Sequence, residues 1–146
     1  MKNRRLIQED LQKEGGSLWP WRMLVACVTL NRTTWKQARP AFEAILRRYP
    51  SPGMLVRADE KTLTKMLQPI GLQNVRARTL KLLSREYWRR YEVGELDGPK
   101  AVAGIPGVGP YVMASWKIFV DLDLRTKTND KALRSYLRRR REELGF

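Results

Sequence analysis

An all-α fold is what the sequence predicts: about seven to nine short helices packed as one compact unit over residues 1–146. Three observations predict it. Apolar residues recur at i, i+3 and i+4 through almost every segment, the spacing of one face of a helix. Clusters of Gly and Pro cut the chain at intervals of helix length. The 146 residues, 42% of them apolar, can bury one real core, since single domains run to about 100–200 residues. No internal repeat, low-complexity tract or domain boundary interrupts the pattern.

The elements follow in order. Leu6, Ile7, Asp10 and Leu11 give a partial stripe that predicts a helix over 3–13, ended by the loop Glu14-Gly15-Gly16-Ser17. From Trp21 to Leu30 the chain is nearly all apolar, which fits a buried strand or a central helix. Helix is preferred because no other segment offers a strand partner. Thr33 or Thr34 caps the next helix, with Ala38, Ala41, Phe42, Ile45 and Leu46 at helical spacing. It stops at Tyr49-Pro50-Ser51-Pro52-Gly53. Asp59 caps a short helix bearing Leu63, Met66 and Leu67, closed by Pro69-Ile70-Gly71. A long helix spans 73–91, with Val75, Thr79, Leu82, Leu83 and Tyr87 on one face and Arg78, Lys81, Arg85 and Arg89 on another. After Gly94 and Gly98-Pro99 comes Gly104-Ile105-Pro106-Gly107-Val108-Gly109-Pro110. A helix with Val112, Met113, Trp116, Phe119 and Val120 inward follows, and a last one runs from Thr128-Asn129-Asp130 to about Glu142.

Composition removes several chemistries. There are 29 basic residues against 15 acidic, a net charge of +14, and a folded domain so basic most often has a polyanion as partner. The single cysteine, Cys27, excludes an intramolecular disulfide and a four-cysteine zinc or iron–sulfur site. With no histidine, no His metal site and no Ser–His or Cys–His pair can form. Chemistry falls to carboxylates, Lys, Tyr or hydroxyls, and no cofactor or metal is expected. No apolar run approaches the roughly 18 residues of a membrane span, and Met1-Lys2-Asn3-Arg4-Arg5 lacks the apolar stretch of a signal peptide. No membrane association is expected.

Ile105-Pro106-Gly107-Val108-Gly109 is the most specific local signal. Two glycines one residue apart permit a tight turn with positive φ, and its N–H groups, opening a helix, can grip a phosphate oxygen without reading sequence. This is the pattern of a helix-hairpin-helix; a plain glycine-rich turn is the bland reading, and the net charge favours binding to a DNA backbone. Asp130 shares a face with Leu133 and Leu137, on the core side of the last helix. A first-turn Asp is usually a cap or a partner of the helix dipole; beside a polyanion groove it could instead activate water or stabilise a developing cation. Lys127, Lys131, Arg134, Arg138 and Arg141 form a separate basic stripe, acting through summed field rather than geometry. Most aromatics are spaced as core, but Tyr111 follows the hairpin, where its ring could face a ligand.

At these residues the sequence resembles the helix-hairpin-helix (HhH-GPD) DNA glycosylases, and within them the branch of methyl-CpG-binding thymine/uracil glycosylases. The blocks that carry the likeness, in the family's order, are Leu6-Ile7-Gln8-Glu9-Asp10-Leu11, Pro20-Trp21-Arg22, Leu30-Asn31-Arg32-Thr33, Pro69-Ile70-Gly71-Leu72, Arg76-Ala77-Arg78-Thr79, Gly107-Val108-Gly109-Pro110-Tyr111 and Asn129-Asp130-Lys131-Ala132-Leu133. Jointly they are specific and span nearly the whole chain. The resemblance implies that Asp130 is the catalytic aspartate. Tyr111 stands where lyase-competent relatives have a lysine, which implies a monofunctional enzyme that cuts the N-glycosidic bond with water. Gln8 would read the flipped pyrimidine, with Tyr111 and Asn31 in the same pocket. Arg32 and Leu72 would fill the gap in the duplex, and Gly107, Val108, Gly109 and Lys131 would hold DNA. Two departures bear on specificity: a longer loop at 12–19 near Gln8, and Ala132 in place of a lysine. The residues of this sequence carry no match to a methyl-CpG-binding module, so none is expected, and the lone Cys27 agrees with a branch without an iron–sulfur cluster.

The implied function is removal of thymine or uracil, or a related 5-substituted pyrimidine, from G·T or G·U pairs in double-stranded DNA. The implied setting is a monomer inside the cell with its DNA: cytoplasm or nucleoid for a bacterial or viral source, nucleus for a eukaryotic one. Three other readings stay open: a glycosylase for adenine or an alkylated purine, a non-catalytic helix-hairpin-helix module, and a protein that binds RNA through the same basic faces. Lesion duplexes, Asp130 variants and competition between DNA and RNA separate them.

Overall fold

In a computed structural model that describes residues 6–146, the described residues form eight α-helices and no strand. They are α1 (Ile7–Glu14), α2 (Trp19–Leu30), α3 (Trp35–Arg48), α4 (Pro52–Val56), α5 (Glu60–Leu67), α6 (Gln73–Glu92), α7 (Pro110–Phe119) and α8 (Lys131–Leu144), with a single 3₁₀ turn over Gln68–Ile70. No helix among them is long and apolar enough to cross a membrane.

The ambiguous apolar segment is a helix, and the reason is its surroundings. Met23 through Thr29 are buried without a break, so α2 has no polar face to give to water and must be enclosed on all sides. Helices α1, α3, α6 and α7 enclose it. The Trp21 indole at the head of α2 donates to Ser84 Oγ on α6 at 3.0 Å, which satisfies a ring N–H deep in the core. On the far side, α4 and α5 pack along α6.

Caps sit where their side chains permit. Thr34, Ser51, Asp59 and Asp130 each accept a first-turn N–H through a side-chain oxygen. The expected helix over 3–13 is observed as α1; residues 3–5 lie outside the described residues. Residues 12–14 belong to α1 rather than to a loop over 12–19, because Gln12 is anchored through Nε2 to the Phe119 carbonyl at 2.8 Å. The connection is therefore only residues 15–18, and Gly15 and Gly16 take φ of 69° and 87° there.

Three further details differ from expectation. The segment after Tyr49 contains a helix, α4, because Ser51 caps it and Pro52 stands at its tolerant first position. On α6 the buried face is Arg76, Ala77, Leu80, Leu83, Ser84 and Tyr87, whereas Val75 is 65% exposed and Leu82 also faces solvent. Ahead of the glycine hairpin, 98–104 winds through successive i→i+3 bonds, Ala101 to Gly98 and Ala103 to Lys100, rather than a regular helix. Arg90 holds this segment by donating to the Ala101 carbonyl at 2.9 Å, and Glu86 braces Arg90 at 3.0 Å.

Candidate functional site

A cleft of about 560 Å³ opens where the end of α2, the start of α6, the hairpin before α7 and the start of α8 converge. Asn31, Arg32, Leu72, Gly107, Gly109, Tyr111 and Asp130 all line it, and so does Ala132. Most of the expected site residues thus come together from four separate stretches of chain. Val108 is half-buried and packed against the core, and Lys131 is exposed beside the cleft on α8.

The two walls that carry Arg32 and Leu72 share an unusual backbone. Both residues are left-handed, φ 62° and 50°, a conformation that costs a non-glycine residue roughly 1–2 kcal/mol. Both are exposed, Leu72 by half its surface. Each turn therefore presents a side chain outward at the cleft mouth. Between the turns lies Arg76, 4% exposed. Its guanidinium donates to the Ile70 carbonyl at 2.8 Å and to the carbonyls of Gly71 and Asn31. Burial lowers its pKa from the usual arginine value.

The hairpin glycines differ in their reasons. Gly107 has φ of +86°, and a Cβ there would stand 2.7 Å from Thr79 Cγ2 and 3.1 Å from Val28 Cγ2. The hairpin is thus seated directly on α2 and α6 through that missing side chain. A Cβ on Gly109 would meet nothing within 4 Å. Gly109 is the N-cap of α7, which has no side-chain cap and carries Pro110 in its first turn. Open space and uncapped N–H groups at a helix start make an approach for an anion.

Asp130 does the work of a cap: its Oδ2 accepts from Leu133 N at 2.9 Å, and its own N–H donates to Thr128 Oγ1 at 3.1 Å. The carboxylate is half-buried over the inward residues Leu133 and Leu137. With Tyr111 it forms the ridge between the main cleft and a second hollow of about 530 Å³, where Lys127, Thr128 and Asn129 stand. Burial pushes the Tyr111 phenol well above the usual tyrosine range; Cys27 and then Asp130 add to it. That phenol is therefore protonated at neutral pH. Cys27 lies under the cleft floor, its thiol raised by burial to about 12.

Gln8 lies one layer deeper than expected. It is 1% exposed and does not line the cleft. Its Nε2 donates to Tyr111 Oη at 2.8 Å and to Ser115 Oγ at 3.1 Å, so Tyr111 separates it from the opening. Sequence reasoning missed Ser115 and Arg76 as parts of this region. Ser115 gives no signal in sequence, being a small polar residue inside an apolar helix; Arg76 breaks the apolar stripe of α6, a signal that was there to read.

Comparison with known proteins follows the same outline. Residues 25–143 match the family described as HhH-GPD superfamily base excision DNA repair protein. A thymine/uracil-DNA glycosylase from Pyrobaculum aerophilum is 42% identical over 93 residues, covering 63% of this chain and 40% of its own. A methyl-CpG-binding domain protein 4-like protein from Arabidopsis thaliana is 29% identical over 132 residues, 90% of this chain and 27% of its own. Among solved structures, a thermostable thymine-DNA glycosylase superposes with a TM-score of 0.62 at 28% identity, over 68% of this chain and 46% of that one. The chain spans less than half the length of each of these relatives.

Proposed function

The chain belongs to the HhH-GPD superfamily of base excision DNA repair proteins, and we propose that it is a monofunctional DNA glycosylase that removes thymine or uracil paired with guanine. Supporting this are relatives named thymine/uracil-DNA glycosylase and, above all, the position of one group. The observation that carries the reading is the Asp130 carboxylate on the wall of a cleft whose mouth bears Arg32 and Leu72 and whose floor includes the glycine hairpin.

The chemistry follows from those parts. A base inside a duplex cannot be reached, so the nucleotide must leave the stack at a cost of a few kcal/mol, least for a mismatched pair. Arg32 and Leu72 occupy the space it vacates, and the uncapped start of α7 holds backbone phosphate. As the N-glycosidic bond lengthens, the sugar takes on oxocarbenium character and the base departs with the bonding electrons. The Asp130 carboxylate stabilises that positive charge, and water adds to the anomeric carbon, its proton ending on the departed base. Among the described residues Oδ2 is the oxygen engaged as the cap; Oδ1 is the oxygen offered to the reaction. Tyr111 is a neutral phenol and forms no imine with the sugar, so the product is an intact abasic strand. The basic stripe of α8, with Lys131, Arg134 and Arg138 exposed, supplies field for double-stranded DNA. A single copy of the chain carries every part of this scheme.

Duplexes carrying G·T, G·U, 5-substituted pyrimidines, adenine mispairs or alkylated purines, incubated with excess protein and then treated with alkali, test the proposal. Strand breaks at G·T and G·U are expected; breaks only at purine lesions would reassign the base. One observation favours a second reading, a module that binds DNA without cutting: the Asp130 cap is itself a sufficient structural reason for that residue. Under it, Asp130 variants lower helix stability and nothing else.

A further inference from the structure

We infer that Arg76 is the positioning residue that ties the two turns bearing Arg32 and Leu72 into one unit across the mouth of the cleft. The inference rests on the reading of that cleft as a place where a duplex is opened, and adds to it a residue whose side chain lies beneath the turns rather than at the mouth. Arg32 and Leu72 come from connections 40 positions apart in sequence, the end of α2 and the start of α6. Each turn is held internally by short-range main-chain bonds, Asn31 N to Val28 O and Thr33 N to Leu30 O in one and Gly71 N to Gln68 O in the other. None of these joins one turn to the other. Arg32 follows the last residues of α2, and Leu72 is an N-cap with no side-chain cap bond.

One planar guanidinium reaches both. Its Nη1 serves Ile70 and Gly71, immediately before Leu72, and its Nη2 serves Asn31, immediately before Arg32. A rigid fork with donors on separate nitrogens suits this task, whereas an ammonium on a flexible stem does not. The surroundings are otherwise unfavourable for a charge. The side chain is buried, its Nε has no partner, and its hydrogen bonds go to main-chain carbonyls rather than to a carboxylate. An apolar residue would fill the same volume on the inner face of α6, but would leave three carbonyls unpaired and the two turns free to move separately. Left-handed residues at Arg32 and Leu72 raise the need, because each turn has an easier conformation to relax into.

The test compares wild type, Arg76→Met and Arg76→Lys in the full chain. Hydrogen exchange on the free protein should rise about tenfold or more over both 30–33 and 69–73 in Arg76→Met, with the hairpin 105–109 unchanged. Excision from a paired G·T duplex should fall roughly a hundredfold. Excision of thymine from an unpaired bubble, which needs no opening, should fall by only about threefold or less. Arg76→Lys should lie between, since its ammonium cannot span both turns. Exchange that rises over one turn or neither in Arg76→Met, or equal losses on paired and unpaired thymine, overturns the assignment. Should Arg76→Met not fold, Arg76→Lys decides: faster exchange over either turn supports the tie, and unchanged exchange sinks it. If wild type excises nothing from either substrate, the glycosylase reading fails, and the exchange data still judge Arg76.

Discussion

Gln8 and Tyr111, 103 positions apart, meet through a 2.8 Å hydrogen bond from Nε2 to Oη. The bond joins α1 to α7 behind the cleft wall and gives the buried amide a partner that faces the opening. Gln8 has a second acceptor in Ser115 Oγ at 3.1 Å, and the two bonds are not equally replaceable.

Tyr111→Phe removes one acceptor and leaves the other, so urea unfolding should show a loss below about 1 kcal/mol. Gln8→Ala takes the amide away from both hydroxyls and opens a cavity, and should lose roughly 2–3 kcal/mol. The reverse order would mean that the amide does not depend on these partners.

At Asp130 the cap and the chemistry separate cleanly by substitution. Asparagine caps as well as aspartate, so Asp130→Asn should change stability by less than about 0.5 kcal/mol, whereas Asp130→Ala should lose about 1 kcal/mol. Both should abolish alkali-sensitive breaks while duplex affinity, by fluorescence anisotropy, stays within about threefold, since a carboxylate lends no attraction to phosphate. Full activity in Asp130→Asn removes the carboxylate from the mechanism.

The two hairpin glycines should fail in different ways. Gly107→Ala drives a Cβ into Thr79 and Val28 at a positive φ, and a destabilisation of about 2 kcal/mol or more is expected by thermal unfolding. Gly109→Ala has open space around it and should fold normally, yet bind duplex DNA about tenfold more weakly because its methyl group occupies the anion's approach. A Gly109→Ala protein with wild-type affinity would place the phosphate elsewhere.

Acid should loosen the approach to the hairpin. Glu86 is held at about 2, below its ordinary 4.5, by hydrogen bonds from Arg89 and then Arg90. A carboxyl with a depressed folded-state pKa contributes stability above its unfolded value, and that contribution is lost as pH falls from about 4.5 to about 2. Thermal midpoints across that window should fall more steeply in wild type than in Glu86→Gln, and hydrogen exchange over 98–104 should rise in parallel, because Glu86 braces the Arg90 that holds Ala101. Parallel curves for the two proteins would dissociate Glu86 from the acid limb.

Much of this was legible from residue order. Helical spacing and breaker residues gave the helix count, and the caps at Thr34, Asp59 and Asp130 were visible because a short oxygen-bearing side chain precedes each apolar stripe. What escaped reading has identifiable causes. Pro52-Gly53 reads as a breaker, yet proline is tolerated in the first turn of a helix and Ser51 supplies the cap, so α4 was missed. The buried face of α6 was misjudged because Val75 and Leu82 are apolar but point outward, while Arg76 and Ser84 are polar and point in, each satisfied by a partner from another element. Gln8 stands behind Tyr111 rather than at the opening, since no pattern in a single chain says which of two neighbours stands in front.

Asp130 is both the point where α8 begins and the candidate reacting group, and that coincidence sets a gauge. A straight helix rises about 1.5 Å per residue, which puts Arg134 and Arg138 roughly 6 and 12 Å further along the axis. Neither spacing can drift unless the first two turns of the helix unravel. On the proposed reading, a duplex seated on those guanidiniums is indexed against the Asp130 carboxylate, like a workpiece against a stop, before any nucleotide has turned outward.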